Sequence, residues 1–254
     1  MVLRILVVAL CFSLLSCKDL VDKYKRSNSG VSALDKAVLY DFRSAAASAR
    51  PSIDSEAEKR VLAAIPPPSC PVAPNQPHPS LQINSLATGS FTYAAEQESA
   101  YLVSGLPCGW SNKLIVFSSS KLQASSDTAY SSIARTFDLN RDDKNELLLT
   151  GEATHNGELS REASLETFEK NSLRPLENFG IVYHDTCSLF TGADEAKRKD
   201  LIAKGLIPYV ESVVIYYLPH PGHEMPSFTA ERFRAPCPAS PTITPSNWHL
   251  VSPK

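Results

Sequence analysis

Asp138-Leu139-Asn140-Arg141-Asp142-Asp143-Lys144-Asn145-Glu146 runs straight into Leu147-Leu148-Leu149. Oxygen-bearing side chains stand at positions 1, 3, 5 and 9 of this loop, and Lys144 at position 7 is placed to offer its backbone carbonyl. Ca²⁺ is a hard cation that takes roughly six to eight oxygens, and a short loop with alternate side chains turned inward supplies most of them. The apolar run behind the loop reads as a buried strand, a rigid support for the ligands. The pattern argues against an EF-hand. That motif needs Gly at position 6 and a bidentate Glu at position 12, where this chain has Asp143 and Leu149, and it exits into a helix rather than a strand.

The frame of the loop recurs upstream. Phe91–Gly105 and Phe137–Gly151 align at a constant offset of 46, with Tyr101-Leu102-Val103 over Leu147-Leu148-Leu149 and Ser104-Gly105 over Thr150-Gly151. In that alignment Thr92, Ala94 and Ala100 stand at the positions of Asp138, Asn140 and Glu146, so the first copy keeps the frame without the metal. The pattern D-x-N-x-D-x-x-x-E entering a strand resembles the calcium loops of integrin-type FG-GAP (VCBS) β-propeller repeats. The resemblance covers one loop and its strand, about a tenth of the chain. It implies Ca²⁺ held by the side chains of Asp138, Asn140, Asp142 and Glu146 and by the carbonyl of Lys144, with Asp143 where the family has Gly.

Strand signals surround both copies. Lys113–Phe117 and Lys121–Ala124 are joined by a serine turn, and Ala163–Glu169 and Leu173–Asn178 by Lys170-Asn171-Ser172. Ala163, Leu165 and Thr167 alternate with polar neighbours, the pattern of a half-buried strand. Leu114–Phe117 and Val213–Leu218 are apolar throughout, as in strands covered on both faces. Thr191 and Asp194 form a capping box for a short helix that ends at Gly205. Two repeats cannot close a propeller. The expected fold is therefore mainly all-β, with antiparallel propeller-blade-like sheets over residues 81–218.

The flanks read differently. Met1–Ser16 has Arg4 as a short positive region and Ile5–Leu15 as an apolar stretch too short to span a bilayer, the form of a signal peptide. Leu14-Leu15-Ser16-Cys17 resembles the lipobox of bacterial lipoproteins, which implies cleavage before Cys17, its lipidation, and membrane attachment through that anchor. Lys18 after the Cys implies the outer membrane, on its periplasmic or surface face. Residues 17–80 read as a helical or disordered Pro-rich tether, with weak helical stretches at Ala33–Arg50 and Ser55–Ala64. Residues 219–254 read as a Pro-rich tail without regular structure.

Without its signal the chain is nearly neutral and has no basic block, so nucleic acid is not an expected partner. Cys70, Cys108, Cys187 and Cys237 remain for disulfides in an oxidising compartment. Three pairings are possible, and shared flanks favour 108–187 with 70–237. His184-Asp185-Thr186-Cys187 reads as a strand end whose Cys is oxidised rather than as a catalytic pair. No nucleophile elbow, phosphate loop or dinucleotide fingerprint occurs. Two functions fit: a non-catalytic, calcium-stabilised envelope module binding protein or polysaccharide, or an envelope hydrolase whose catalytic residues are dispersed.

Overall fold

The computed structural model describes residues 36–44, 51–65, 81–106, 112–155, 157–191, 193–222, 224–238 and 245–251. Met1–Ser16, the lipobox, Cys70 and Cys108 lie outside the described residues. Val38–Lys254 forms one compact unit, and its structure is mainly antiparallel β-sheet.

Four strands make the smaller sheet as a simple meander: β2 (Gln82–Gly89), β3 (Glu98–Ser104), β4 (Asn112–Ser118) and β5 (Lys121–Thr128). A second meander follows, β6 (Ser132–Phe137), β7 (Glu146–His155), β8 (Glu158–Glu169) and β9 (Ser172–Asp185). It continues into β10 (Val210–Leu218), β11 (Ser227–Ala235) and the short β12 (His249–Leu250), and β1 (Ala37–Asp41) joins β10. The β8–β9 turn is tight because Lys170 and Asn171 both take left-handed backbone, φ 50° and 68°.

Strand β10 meets β9 only at residues 183–185, then pairs with β1 on that side. Among the described residues no strand pairs with the first half of β9 on that side, which is where Pro175, with no N–H to donate, is tolerated. Register shifts at three points between β8 and β9 bend the strands, and the large sheet curls into a half-barrel.

Side-chain alternation divides the interior into three apolar clusters. Ala100 and Leu102 of β3 and Leu114 and Val116 of β4 meet Ile133, Leu147, Leu149 and Phe168 between the two sheets. Leu148, on the other face of β7, joins Leu165, Val182, Val213 and Ile215 inside the curl, closed by Leu39 and Phe42. The outer face of the small sheet is covered by helix α1 (Ser55–Ala63), whose Val61 is fully buried against Tyr101, Val103 and Ile115. Asp54 caps α1 through the amides of Glu56 and Ala57.

Several sequence expectations change here. Ala33–Arg50 contributes a strand, β1, not a helix, because Leu39 and Phe42 are needed to close the apolar curl. The stretch read as a tether thus supplies β1 and α1 to the compact unit. The C-terminal tail also carries regular structure, since β11 pairs with β10 along nine residues. The short helix forms as α3 (Glu195–Ala203), with Asp194 alone as its cap, after a one-turn α2 (Cys187–Thr191). Among the described residues no helix is long and apolar enough to cross a membrane.

Candidate functional site

The acidic loop is the connection between β6 and β7, Asp138–Asn145, and its counterpart Ser90–Gln97 connects β2 to β3. The two are structurally equivalent at an offset of 48, not 46. Glu98 and Glu146 each open a strand, paired with Gly89 and Phe137 at the end of the preceding one. Ala95 and Asp143, also 48 apart, both adopt left-handed backbone, φ 57° and 62°. The aligned phenylalanines masked this register. In the corrected register Ser90, Thr92 and Ala94 replace Asp138, Asn140 and Asp142, while the glutamate is kept.

The two glutamates are satisfied differently. Glu98, 1 % exposed, accepts the amides of Phe91 and Thr92 and the Thr92 hydroxyl. Glu146, 2 % exposed, accepts the amide of Leu139 at 2.9 Å. Burial pushes its carboxyl up to about 7; the Leu139 amide opposes the shift, and the nearby carboxylates of Asp142 and Asp138 add to it.

The rest of the acidic loop winds around its own backbone. The Asp138 and Asn140 Oδ1 atoms accept from the Asp142 amide at 3.1 and 3.2 Å, and Asp142 Oδ1 accepts from the Lys144 amide at 2.9 Å. Arg141, at φ 58°, and Asp143 supply the tight turns. Asn140 Nδ2 donates to Asp142 Oδ2, and Lys144 Nζ reaches the carbonyl of Phe168 at 3.4 Å. Asn140, Asp142, Lys144 and Glu146 line one side of a hollow of about 240 Å³ at the mouth of the curled sheet. Among the described residues no three His, Cys, Asp or Glu side chains are gathered closely enough to hold a metal. The structure therefore brings the expected ligands to one loop but leaves them bonded to the chain. All are hard oxygen donors, so the set fits Ca²⁺ in kind, and holding it requires the Asp138 and Asp142 carboxylates to give up backbone amides for the ion.

The two loops are clasped together. The Ser90 amide donates to Asn145 Oδ1 at 2.8 Å, the Asn145 amide to the Ser90 carbonyl, and the Ala95 amide to the Asp143 carbonyl at 3.0 Å. Gly89 permits this approach, because a Cβ there would lie 2.5 Å from Asn145 Oδ1.

The disulfide pairing is corrected. Cys187 is bonded to Cys237, which replaces both 108–187 and 70–237. The physical reason is the sheet. Val210 is paired with Asp185 on one side and Ala235 on the other, which brings the residues after β9 and after β11 side by side. Comparison with protein-family models, curated proteins and solved structures finds nothing that matches this chain.

Proposed function

We propose that the chain is a non-catalytic β module of the bacterial cell envelope, attached through lipid on Cys17, stabilised by Ca²⁺ at Asp138–Glu146, and serving a binding or structural role toward envelope protein or polysaccharide. The observation that carries the calcium reading is the contrast between the paired glutamates. Where Ser90, Thr92 and Ala94 stand in place of the expected ligands, Glu98 accepts two amides and a hydroxyl. Where Asp138 and Asp142 stand, the buried Glu146 accepts the Leu139 amide and lies close to both of their carboxylates. A divalent cation supplies the missing countercharge.

Thermal unfolding with calcium and with chelator tests it. An extracellular-type site with a dissociation constant of about 10⁻⁴–10⁻³ M gives roughly 0.4–1.4 kcal/mol at millimolar calcium. Wild type melts higher with calcium, and Asp142→Ala is indifferent. Equal responses move the ion elsewhere, and no response reduces the loop to an acidic turn. For the anchor, Cys17→Ala releases the protein from membranes; a variant that still sediments with them refutes it.

The hydrolase reading has one observation in its favour, a carboxylate–imidazole–phenol row, Glu158–His184–Tyr209, in a cleft away from the acidic loop. The non-catalytic reading is better supported. The aliphatic hydroxyl of that cleft, Thr186 Oγ1, is spent on backbone, accepting from the Tyr209 amide at 3.0 Å and donating to the Tyr209 carbonyl at 3.1 Å.

A further inference from the structure

The end of the curled sheet opposite the acidic loop opens into a cleft built from strand ends: Glu158 at the start of β8, His184 one residue before the end of β9, Tyr209 just before β10, and Arg234 near the end of β11. It has two adjoining hollows, of about 330 and 350 Å³, which share Ile207, Tyr209 and Arg234. Their size is that of sites for small molecules.

The first hollow carries the charged and hydrogen-bonding groups on a wall otherwise formed by residues such as Leu206 and Ile207. His184 Nε2 lies 3.2 Å from Glu158 Oε2, and His184 Nδ1 lies 3.4 Å from the Tyr209 hydroxyl. The Arg234 guanidinium sits over the Tyr209 ring, 4.1 Å from its centroid. Glu211 accepts from Arg234 Nη2 at 3.0 Å and from Arg232 Nη1 at 3.2 Å, so two guanidiniums share one carboxylate. Glu158 is a second carboxylate on the same hollow, so Arg234 offers its remaining N–H donors beside the ring rather than an unbalanced charge. The second hollow is apolar, walled by Ile207, Pro208, Pro236, Leu250 and Val251. Ile207 is 71 % exposed and Leu250 58 %, large apolar side chains held in water at the rim.

The walls are fixed covalently. Thr186 lines the first hollow and Pro236 the second, and each immediately precedes a cysteine of the Cys187–Cys237 bond. Such a cleft is shaped before a ligand arrives, which lowers the ordering cost of binding.

We infer that this cleft binds a small apolar monocarboxylate, its carboxylate on Arg234 beside Tyr209 and its apolar body against Ile207, Pro236 and Leu250. A guanidinium offers carboxylate a planar fork of donors, and stacking on the ring holds that fork in place. The apolar wall rejects a small hydrated anion such as acetate, which has no body to bury.

The calcium reading is not needed for this site, and chelator leaves its binding unchanged. The test is calorimetry and saturation-transfer NMR of the full chain with 4-phenylbutyrate, 4-phenylbutyramide and acetate. Phenylbutyrate binds saturably, and the amide and acetate bind at least about tenfold more weakly, the loss expected of one charge-assisted hydrogen bond or of the buried body. Arg234→Gln costs about tenfold or more. Ile207→Glu, on an exposed side chain, has a similar effect with an unchanged melting temperature. The inference is overturned if wild type shows no saturable binding in the millimolar range. It is equally overturned if the carboxylate and its amide bind alike, or if Arg234→Gln binds as well as wild type.

Discussion

Replacing Cys187 and Cys237 together by Ala removes a cross-link that closes a loop of 50 residues. The chain-entropy relation assigns such a loop about 4 kcal/mol of stabilisation, exerted by restricting the unfolded chain. For a unit of this size each kcal/mol moves the melting temperature by roughly 2–4 °C, so the double variant melts about 8–16 °C lower. In urea the midpoint falls by about 1.5 M if the slope is near 2.5 kcal/mol/M. Circular dichroism on both transitions gives the two numbers independently. The variant, rather than added reductant, is the right perturbation, because Cys70 and Cys108 are then untouched. The native far-ultraviolet spectrum is retained, since β10 and β11 stay paired along nine residues without the cross-link. A loss under 1 kcal/mol refutes the entropic argument, and peptide mapping that finds Cys187 joined to Cys108 refutes the pairing.

Glu98→Ala strands the amides of Phe91 and Thr92 in a buried turn and costs about 3 kcal/mol or more by urea unfolding, whereas an exposed control such as Glu56→Ala costs under about 0.5. Gly89→Ala drives a methyl into Asn145 Oδ1 and the buried Phe91 ring and destabilises by about 1–3 kcal/mol; an unchanged melting temperature would show that the clasp is not tight. Burial raises the Glu166 carboxyl despite the opposing Ser164 hydrogen bond. Its folded value lies above its unfolded value of about 4.3, so its contribution is fully present below that pH and is lost as pH rises through the folded value. Glu166→Gln therefore gains relative stability over wild type between pH 4 and pH 8, and a difference that does not change with pH contradicts the assignment.

What was legible in the sequence was local. Alternation at Ala163–Thr167, the apolar run of Val213–Leu218 and the Lys170-Asn171 turn each stand in a strand or turn where expected, but Ser164 and Glu166, read as the exposed face of their strand, are buried. The two strand-joining loops were legible, but not the offset of 48 at which their backbones correspond. Phenylalanine matched phenylalanine, while the features that fix equivalence are a left-handed backbone at Ala95 and Asp143 and the strand-opening glutamates. Strand β1 was misread because Ala37-Val38-Leu39-Tyr40 is too short for its period to tell strand from helix; only the distant Val213 and Ile215 decide it. The Cys187–Cys237 pairing and the cleft escaped for one shared reason. Glu158, His184, Tyr209 and Arg234 come from four separated segments, and no spacing connects them until β8 to β11 lie side by side.

The clasp between the two loops makes the acidic loop a hinge pin rather than an appendage. Ser90 and Ala95 belong to the small sheet's turn, yet their amides are bonded to Asn145 and Asp143 of the large sheet's turn. Any opening that frees Asp143 or Asn145 must also release those amides, so the two sheets cannot breathe independently at this edge. Hydrogen exchange at Ser90 and Ala95 then reports on events in a loop that is remote in sequence. A cation seated at Asp138–Glu146 would slow exchange there as well as in its own loop, turning a local ligand into a brace across the joint between the sheets.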